Sequence, residues 1–379
     1  MAKTKLVILV LLSIFLITGC WDKVEINERA FISAVGIDDY KGEGSEEKKY
    51  IVTYVYPNLN AIGKNGQGQP RFVISSVGQS TYDTTREIRT RINKVIFFQH
   101  MKVLVIGEDA ARNNNMLREL LDSLERHSQV NRKVNVLIAK GKAEDVLNLE
   151  SEFEPVTGTY ISDISRGSES TARFSPQTLG DVVKNLHENG MALMPRVVTG
   201  EKDLKVAGSA IIKDHRLLGW LGEKETRGAM FLMDKFKSDV VTVTKEINKE
   251  KITVPYIITS SKTKLKVKGK EGNIKVDIPI QMEGYVQQFK LNTGEDALDN
   301  KFLESVEKVI EEKIKKEINV TIEKLQKEFK ADVIGIGGHI SKYEPDLWDN
   351  IKDNWGNIFP EVDINVSIEA KIRRIGLTK

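Results

Sequence analysis

One stripe of apolar residues near the C-terminus constrains this chain more than any other feature. Leu303, Val306, Ile310, Ile314, Ile318, Ile322, Leu325 and Phe329 step by three or four, and Lys and Glu fill the opposite face. That period is one side of an α-helix and predicts a helix over 297–330. At 1.5 Å per residue it is about 50 Å long. Such a stripe needs a cover. The sheet of its own domain is the expected one, with a partner helix on part of the stripe as the alternative. The dense Glu/Lys face argues against a helix lying in a membrane plane, where basic residues are favoured.

The rest of the chain alternates strand and helix patterns. Phe31–Ile37, Tyr50–Tyr56, Phe72–Val77, Met101–Ile106 and Lys133–Ala139 are β-branched or aromatic runs and predict strands. Helical spacing predicts helices over Thr81–Val95, Ala110–Arg126, Ala143–Leu149 and Gln177–Asn189, the last stopped by Gly190. Residues 63–70, rich in Gly and Gln, predict a loop. Glu152–Ser175 is rich in Ser, Thr and Gly and predicts an extended surface segment. From about residue 200 the pattern turns to β. Val206–Ile212 and Leu217–Leu221 flank a polar turn, and Val240–Ile247, Lys251–Ile258 and Thr263–Lys268 follow. Ile274, Val276, Ile278 and Ile280 alternate with polar residues, and Asp363–Ile372 closes the chain as a strand. Glu223–Lys237 fits helix or strand.

The expected fold class is therefore α+β and multi-domain, with mixed β-sheets flanked by helices and a long amphipathic helix near the C-terminus. A length of 379 residues suits two or three domains. The expected division is a leader at 1–19, an N-terminal α/β region at 20–200 and a C-terminal α+β region at 201–379. The last is divisible into a β-rich lobe 201–290 and a helix-plus-sheet lobe 291–379.

The leader has its own logic. Lys3 and Lys5 precede an apolar run, Leu6–Ile17, broken only by Ser13. As a helix the run is about 18 Å long, too short for a hydrocarbon core of about 30 Å. That is signal-peptide length. Ile17-Thr18-Gly19-Cys20 then resembles a bacterial lipobox, although Leu is more usual than Ile at its first position. In a lipoprotein, Cys20 carries a diacylglyceryl thioether and an N-acyl chain, after cleavage between Gly19 and Cys20. The plainer alternative is a secretory signal with an incidental free thiol. Cys20 is the one cysteine of the chain, so no intrachain disulfide can form and a Cys-based zinc site is excluded. The 57 Lys+Arg nearly balance the 54 Asp+Glu, and two of the lysines sit in the leader. Nucleic acid is therefore not an expected partner.

No catalytic signature emerges. His100, His127, His187, His215 and His339 show neither a His-Glu-x-x-His pair nor metal-ligand spacing. Gly-x-Ser-x-Gly and Gly-Lys-Ser/Thr do not occur. Gly335-Ile336-Gly337-Gly338 follows the long helix and lacks the strand-turn-helix setting of a dinucleotide loop. The expectation is a protein without enzymatic activity, metal or cofactor.

Several blocks, in one order, resemble the Ger(x)C family of lipoproteins, the C subunits of spore germinant receptors. Cys20-Trp21-Asp22-Lys23-Val24-Glu25-Ile26-Asn27-Glu28 is similar to its mature start and leads to a strand ending Gly36-Ile37-Asp38. The blocks at 98–108 and 136–143 follow, then 208–212, Leu218-Gly219-Trp220-Leu221 and Glu225-Thr226-Arg227-Gly228. Asp332-Val333-Ile334-Gly335-Ile336-Gly337, Tyr343, Pro345, Trp348 and Trp355 resemble its closing signature. The resemblance implies a non-enzymatic receptor subunit on the outer face of the inner spore membrane. It would be lipid-anchored beside two integral-membrane subunits and needed for nutrient-triggered germination. Trp348, Trp355, Asp332, Gly335 and Gly337 are the candidate interaction residues, with packing of both tryptophans under the long helix as the alternative. The competing function is a solute-binding lipoprotein of a transport system, which needs a cleft with convergent polar groups. A cell-wall enzyme is the third reading.

Overall fold

The computed structural model describes residues 25–44, 47–61, 68–167, 171–247, 250–270, 272–286 and 300–375. The leader, the lipobox with Cys20 and most of the predicted 63–70 loop lie outside them.

The first half is built on an eight-stranded sheet. Its strands are β2 (Ala34–Asp39), β3 (Tyr50–Pro57), β4 (Arg71–Gly78), β6 (Val103–Ile106), β7 (Asn135–Ala139), β8 (Met191–Thr199), β9 (Leu204–Lys213) and β10 (Arg216–Leu221). The spatial order is β10-β9-β8-β7-β6-β2-β3-β4. The central strands β2, β6, β7 and β8 are parallel, and each edge is an antiparallel pair. Parallel strands covered on both faces need apolar residues on both, and β6 obeys. Leu104 and Ile106 join the core under α1 (Thr81–Arg89), α3 (Asn114–Arg126) and α6 (Leu179–Asn189). Val103 and Val105 join the opposite core, under α4 (Ala143–Asn148) and α5 (Thr157–Arg166). Strands β9 and β10, placed by sequence in the second region, hydrogen-bond onto this first sheet.

The second half carries one face of a five-stranded sheet. It comprises β11 (Asp239–Ile247), β12 (Glu250–Thr263), β13 (Lys266–Lys270), β14 (Asn273–Val286) and β15 (Asp363–Ile375), the last parallel to β14. The long helix α8 (Asn300–Glu323) lies on it and runs into a π-helical turn at Lys324–Glu328. Val306, Ile310, Ile314, Ile318 and Ile322 share one core with Val241, Val254, Tyr256 and the alternating Ile274, Val276, Ile278 and Ile280. The domain's own sheet is the cover of the stripe. Helix α7 (Glu223–Leu232) resolves the ambiguous segment and joins the halves, since Leu193, Ile211 and Leu221 of the first sheet belong to this same core.

Three local expectations are corrected. The helix expected over Thr81–Val95 ends at Arg89, and Val95 opens β5 (Val95–Phe97), which pairs in parallel with β1 (Arg29–Phe31). The spacing of Val95 is coincidental, because Val95 is exposed, whereas Ile92 packs on the same core as Ile88. The helix expected over Ala110–Arg126 is two, α2 (Glu108–Arg112) and α3, because the Asn113 side chain caps Met116 N–H and restarts the spiral. The extended segment expected over Glu152–Ser175 contains α5, which buries Thr157, Gly158, Ile161, Ser162 and Ser165. Apart from Ile161 its buried face is made of small residues, and at Gly158 it packs against backbone. A Cβ on Gly158 would stand 2.7 Å from the carbonyl oxygen of Ser33. Gly335–Gly338, for which no element was expected, opens a helix, α9 (Ile336–Tyr343), with Gly335 just before its first residue. Strand β8 had no forecast; Pro195 marks its irregular register against β9.

Ile314 is fully buried under α8. Ile314→Ala is expected to lower the unfolding free energy by about 2–5 kcal/mol and Ile314→Val by about 0.5–1.5 kcal/mol. Urea denaturation checks this, and a smaller loss for Ala than for Val would refute the cover.

Candidate functional site

The π-helical turn at the end of α8 hands the chain to Asp332. Gln326 fixes that junction by donating to the carbonyls of Phe359 (2.9 Å) and Val362 (2.8 Å). Asp332 is 5% exposed, so its carboxylate must find donors inside the protein. It finds four. Oδ1 accepts from the backbone N–H of Gly335 and of Ile336, each at 3.0 Å. Oδ2 accepts from Gly337 N–H at 2.6 Å and from Trp355 Nε1–H at 3.1 Å. The three backbone donors lie at the start of α9, Gly335 N–H being shared with the Asp332 carbonyl at 3.3 Å, and the helix dipole favours a negative charge there. Burial nevertheless pushes the Asp332 carboxyl up to about 6, against the lowering effect of Gly337, Ile336, Trp355 and Gly335.

Two glycines make this geometry possible. Gly335 sits at φ +82°, a left-handed conformation that costs other residues about 1–2 kcal/mol. Gly337 lets the tryptophans approach: a Cβ there would stand 2.6 Å from Trp355 Nε1 and 3.1 Å from Trp348 Cη2. Trp348 and Trp355 meet edge-to-face with centroids 5.7 Å apart. The five sequence-selected residues Asp332, Gly335, Gly337, Trp348 and Trp355 are thus one contiguous cluster. Within it they differ. Trp355 is buried in the core that α8 covers. Trp348, on α10 (Pro345–Ile351), is half-buried. Both tryptophans border a half-open cleft of about 660 Å³, between the end of α6 (Glu188, Asn189) and the surface of α9 (Ser341, Lys342).

Two further polar nodes escaped the sequence reading as sites, although their residues lie in the blocks that carried the resemblance. Asp38, at the end of β2, accepts from Ala143 N–H (2.7 Å) and Glu144 N–H (2.8 Å), the first turn of α4. Gly107 is part of this fit, since a Cβ there would overlap Asp38 Oδ1. Arg227 on α7 pairs with Asp239 of β11 (3.0 Å) and Glu317 of α8 (2.5 Å). Burial lowers its guanidinium, but Glu317 and Asp239 outweigh that and hold it above the ordinary arginine value. A carboxylate placed far along the chain from its partner leaves no local spacing to read.

Among the described residues, no group of three or more His, Cys, Asp and Glu could hold a metal ion. His100 and His127 rest against phenylalanine rings, and His339 against Tyr343. Among the described residues no helix is long and apolar enough to cross a membrane.

Comparison with known proteins matches both halves. Residues 22–199 match the family described as spore germination protein N-terminal domain, and residues 207–376 the family described as spore germination B3/GerAC like, C-terminal. Spore germination protein YndF of Bacillus subtilis is 30% identical, over 98% of this chain and 96% of that protein. Spore germination protein KC of the same organism is 28% identical, over 99% and 96%. The crystal structure of the GerBC protein shares the fold, with a TM-score of 0.59, 21% identity, and coverage of 90% of this chain and 97% of that one.

Asp332→Ala takes the carboxylate partner from the backbone N–H groups of Ile336 and Gly337 and from one indole N–H, while Gly335 N–H keeps the residue-332 carbonyl, and is expected to cost at least about 3 kcal/mol. Asp332→Asn keeps the shape and gives a pH test. With its folded value raised to about 6 from 3.8, the carboxyl contributes stability that is fully present below about pH 4 and lost as pH rises through 6. The melting-temperature advantage of wild type over Asp332→Asn should therefore widen as pH falls from 7 to 4. A constant gap would contradict the raised value.

Proposed function

The chain belongs to the Ger(x)C family of spore germination proteins, and from that premise we propose that it is the lipid-anchored subunit of a spore germinant receptor. It has a role in spore germination. The finer reading adds where and how. The single observation that carries it is the junction Ile17-Thr18-Gly19-Cys20 directly after an apolar run of signal-peptide length, in a chain with one cysteine. A thioether-linked diacylglyceryl group on Cys20, with an N-acyl chain, tethers the mature protein to the outer face of the inner spore membrane. Burial of acyl chains contributes about 0.8 kcal/mol per methylene, and more than one chain is needed for a lasting anchor.

In this reading the ectodomain acts by protein contact, not by chemistry. Its partners are two integral-membrane receptor subunits. The contact surface is the cleft beside Trp348, where an aromatic face and the charges of Lys342 and Lys352 border open space. A half-buried tryptophan held in place by a buried partner suits an interface anchor, because its orientation is already fixed before binding. Asp332, Gly335, Gly337 and Trp355 are then positioning residues, which hold Trp348 from behind.

Cys20→Ala is expected to move the protein from the membrane to the soluble fraction of spore lysates and to abolish the nutrient response. Mass spectrometry of the native membrane-bound protein should find acyl mass on residue 20. An unmodified thiol there overturns the anchor. Trp348→Ala is expected to reduce germination severalfold at unchanged protein level and protease resistance. Unchanged germination excludes Trp348 as a contact.

A further inference from the structure

A second cavity lies in the N-terminal half, away from Trp348. Its volume is about 420 Å³. The floor is Val35, Ile37, Val52, Ile96, Phe98 and Met101, each no more than 8% exposed and all members of one core. Protein interiors keep few voids larger than a water molecule. This cavity is half-open at its rim, and its apolar floor is surface that an occupant can cover. About 150 Å³ of apolar cavity suffices for benzene, so this one admits a ring with substituents.

The rim gives the occupant its second property. Helix α1 contributes Thr81, Tyr82, Thr85 and Arg89, and the end of α3 with the following turn contributes Ser123, Arg126 and His127. The lining contains no acidic side chain. Arg126 is neutralised by Asp122 at 2.8 Å. Arg89 is exposed, and no hydrogen bond or ion pair is recorded for it among the described residues. His127 Nδ1 accepts from Gln129 N–H at 3.3 Å, which makes Nε2–H the donor of the neutral ring. The rim thus offers an unspent cation and neutral polar groups around an apolar floor, the composition of a small-molecule site.

We propose that this cavity binds a small apolar carboxylate, with its hydrocarbon body on the Val35–Phe98 floor and its anionic group at Arg89. The site is separate from the cleft beside Trp348, and its fate does not depend on the anchoring or partner reading.

Benzoate is the probe, and benzyl alcohol its neutral counterpart, titrated calorimetrically into the full-length chain. Benzoate should saturate one site and bind about tenfold more tightly than benzyl alcohol, as a charge-assisted hydrogen bond implies. Arg89→Gln changes an exposed residue and should remove that preference while benzyl alcohol still binds. Val130→Trp fills the cavity from its half-buried rim and should abolish binding of both probes, with Arg89→Gln as the test that survives if this variant misfolds. No saturable benzoate binding up to its solubility, equal affinity for the two probes, or a preference that persists in Arg89→Gln overturns the proposal.

Discussion

A sheet with one apolar face cannot stand in water uncovered, and helix α8 is the cover on which the second half of this protein depends. Strand β14 alternates buried and exposed residues along its described length, so a single long surface of Ile and Val needs an equally long partner. The stripe from Phe302 to Ile322 supplies it. Each fully buried Ile or Val contributes about 1.5–3 kcal/mol by leaving water, and α8 supplies five such residues on one face, Val306, Ile310, Ile314, Ile318 and Ile322. Everything that follows in the chain is placed by it. The π-helical turn, Asp332 and the short helices carrying Trp348 and Trp355 all hang from the end of α8.

The same device is used twice to fasten the start of a helix. Asp38 holds the first turn of α4 and Asp332 the first turn of α9. In both cases a buried carboxylate replaces the water that a helix N-terminus would otherwise bind. The cost is visible in the upward push that burial exerts on both groups. What the cost secures is direction: a helix held by backbone N–H groups to one carboxylate cannot rotate freely. For α9 the consequence reaches the surface, because Trp355 Nε1 shares the carboxylate and supports Trp348 edge-on. The Arg227 ion pairs play the matching part between α7, β11 and α8, where they bind the sheet-bridging helix to the cover.

The legible parts of this structure were those with long, regular periods. The stripe at 303–329, the alternation at 274–280 and the runs Tyr50–Tyr56 and Leu217–Leu221 each state their own geometry. The parts that misled had a short or coincidental signal. Val95 extends a helical period on paper, yet the β-pairing of Val95–Phe97 with Arg29–Phe31 removes it from the helix. Helix α5 was hidden because its buried face is, apart from Ile161, Thr, Gly and Ser, residues that read as loop in a sequence. The selection of Asp332, Gly335, Gly337, Trp348 and Trp355 came from resemblance to a family. The hydrogen bonds among them could not have been read from spacing, since Trp355 lies twenty-three residues from its acceptor.

The sequence by itself determined the periodic elements, the single cysteine after an apolar run and the family resemblance, because these are properties of neighbours along the chain. Only the tertiary structure decided that β9 and β10 complete the first sheet, that Asp38 and Asp332 are helix caps, and that a cavity opens between β2, β3 and α1. The physical reason is the same for each. Burial and hydrogen-bond partnership are set by residues distant in the chain, and no local pattern encodes which distant backbone will arrive.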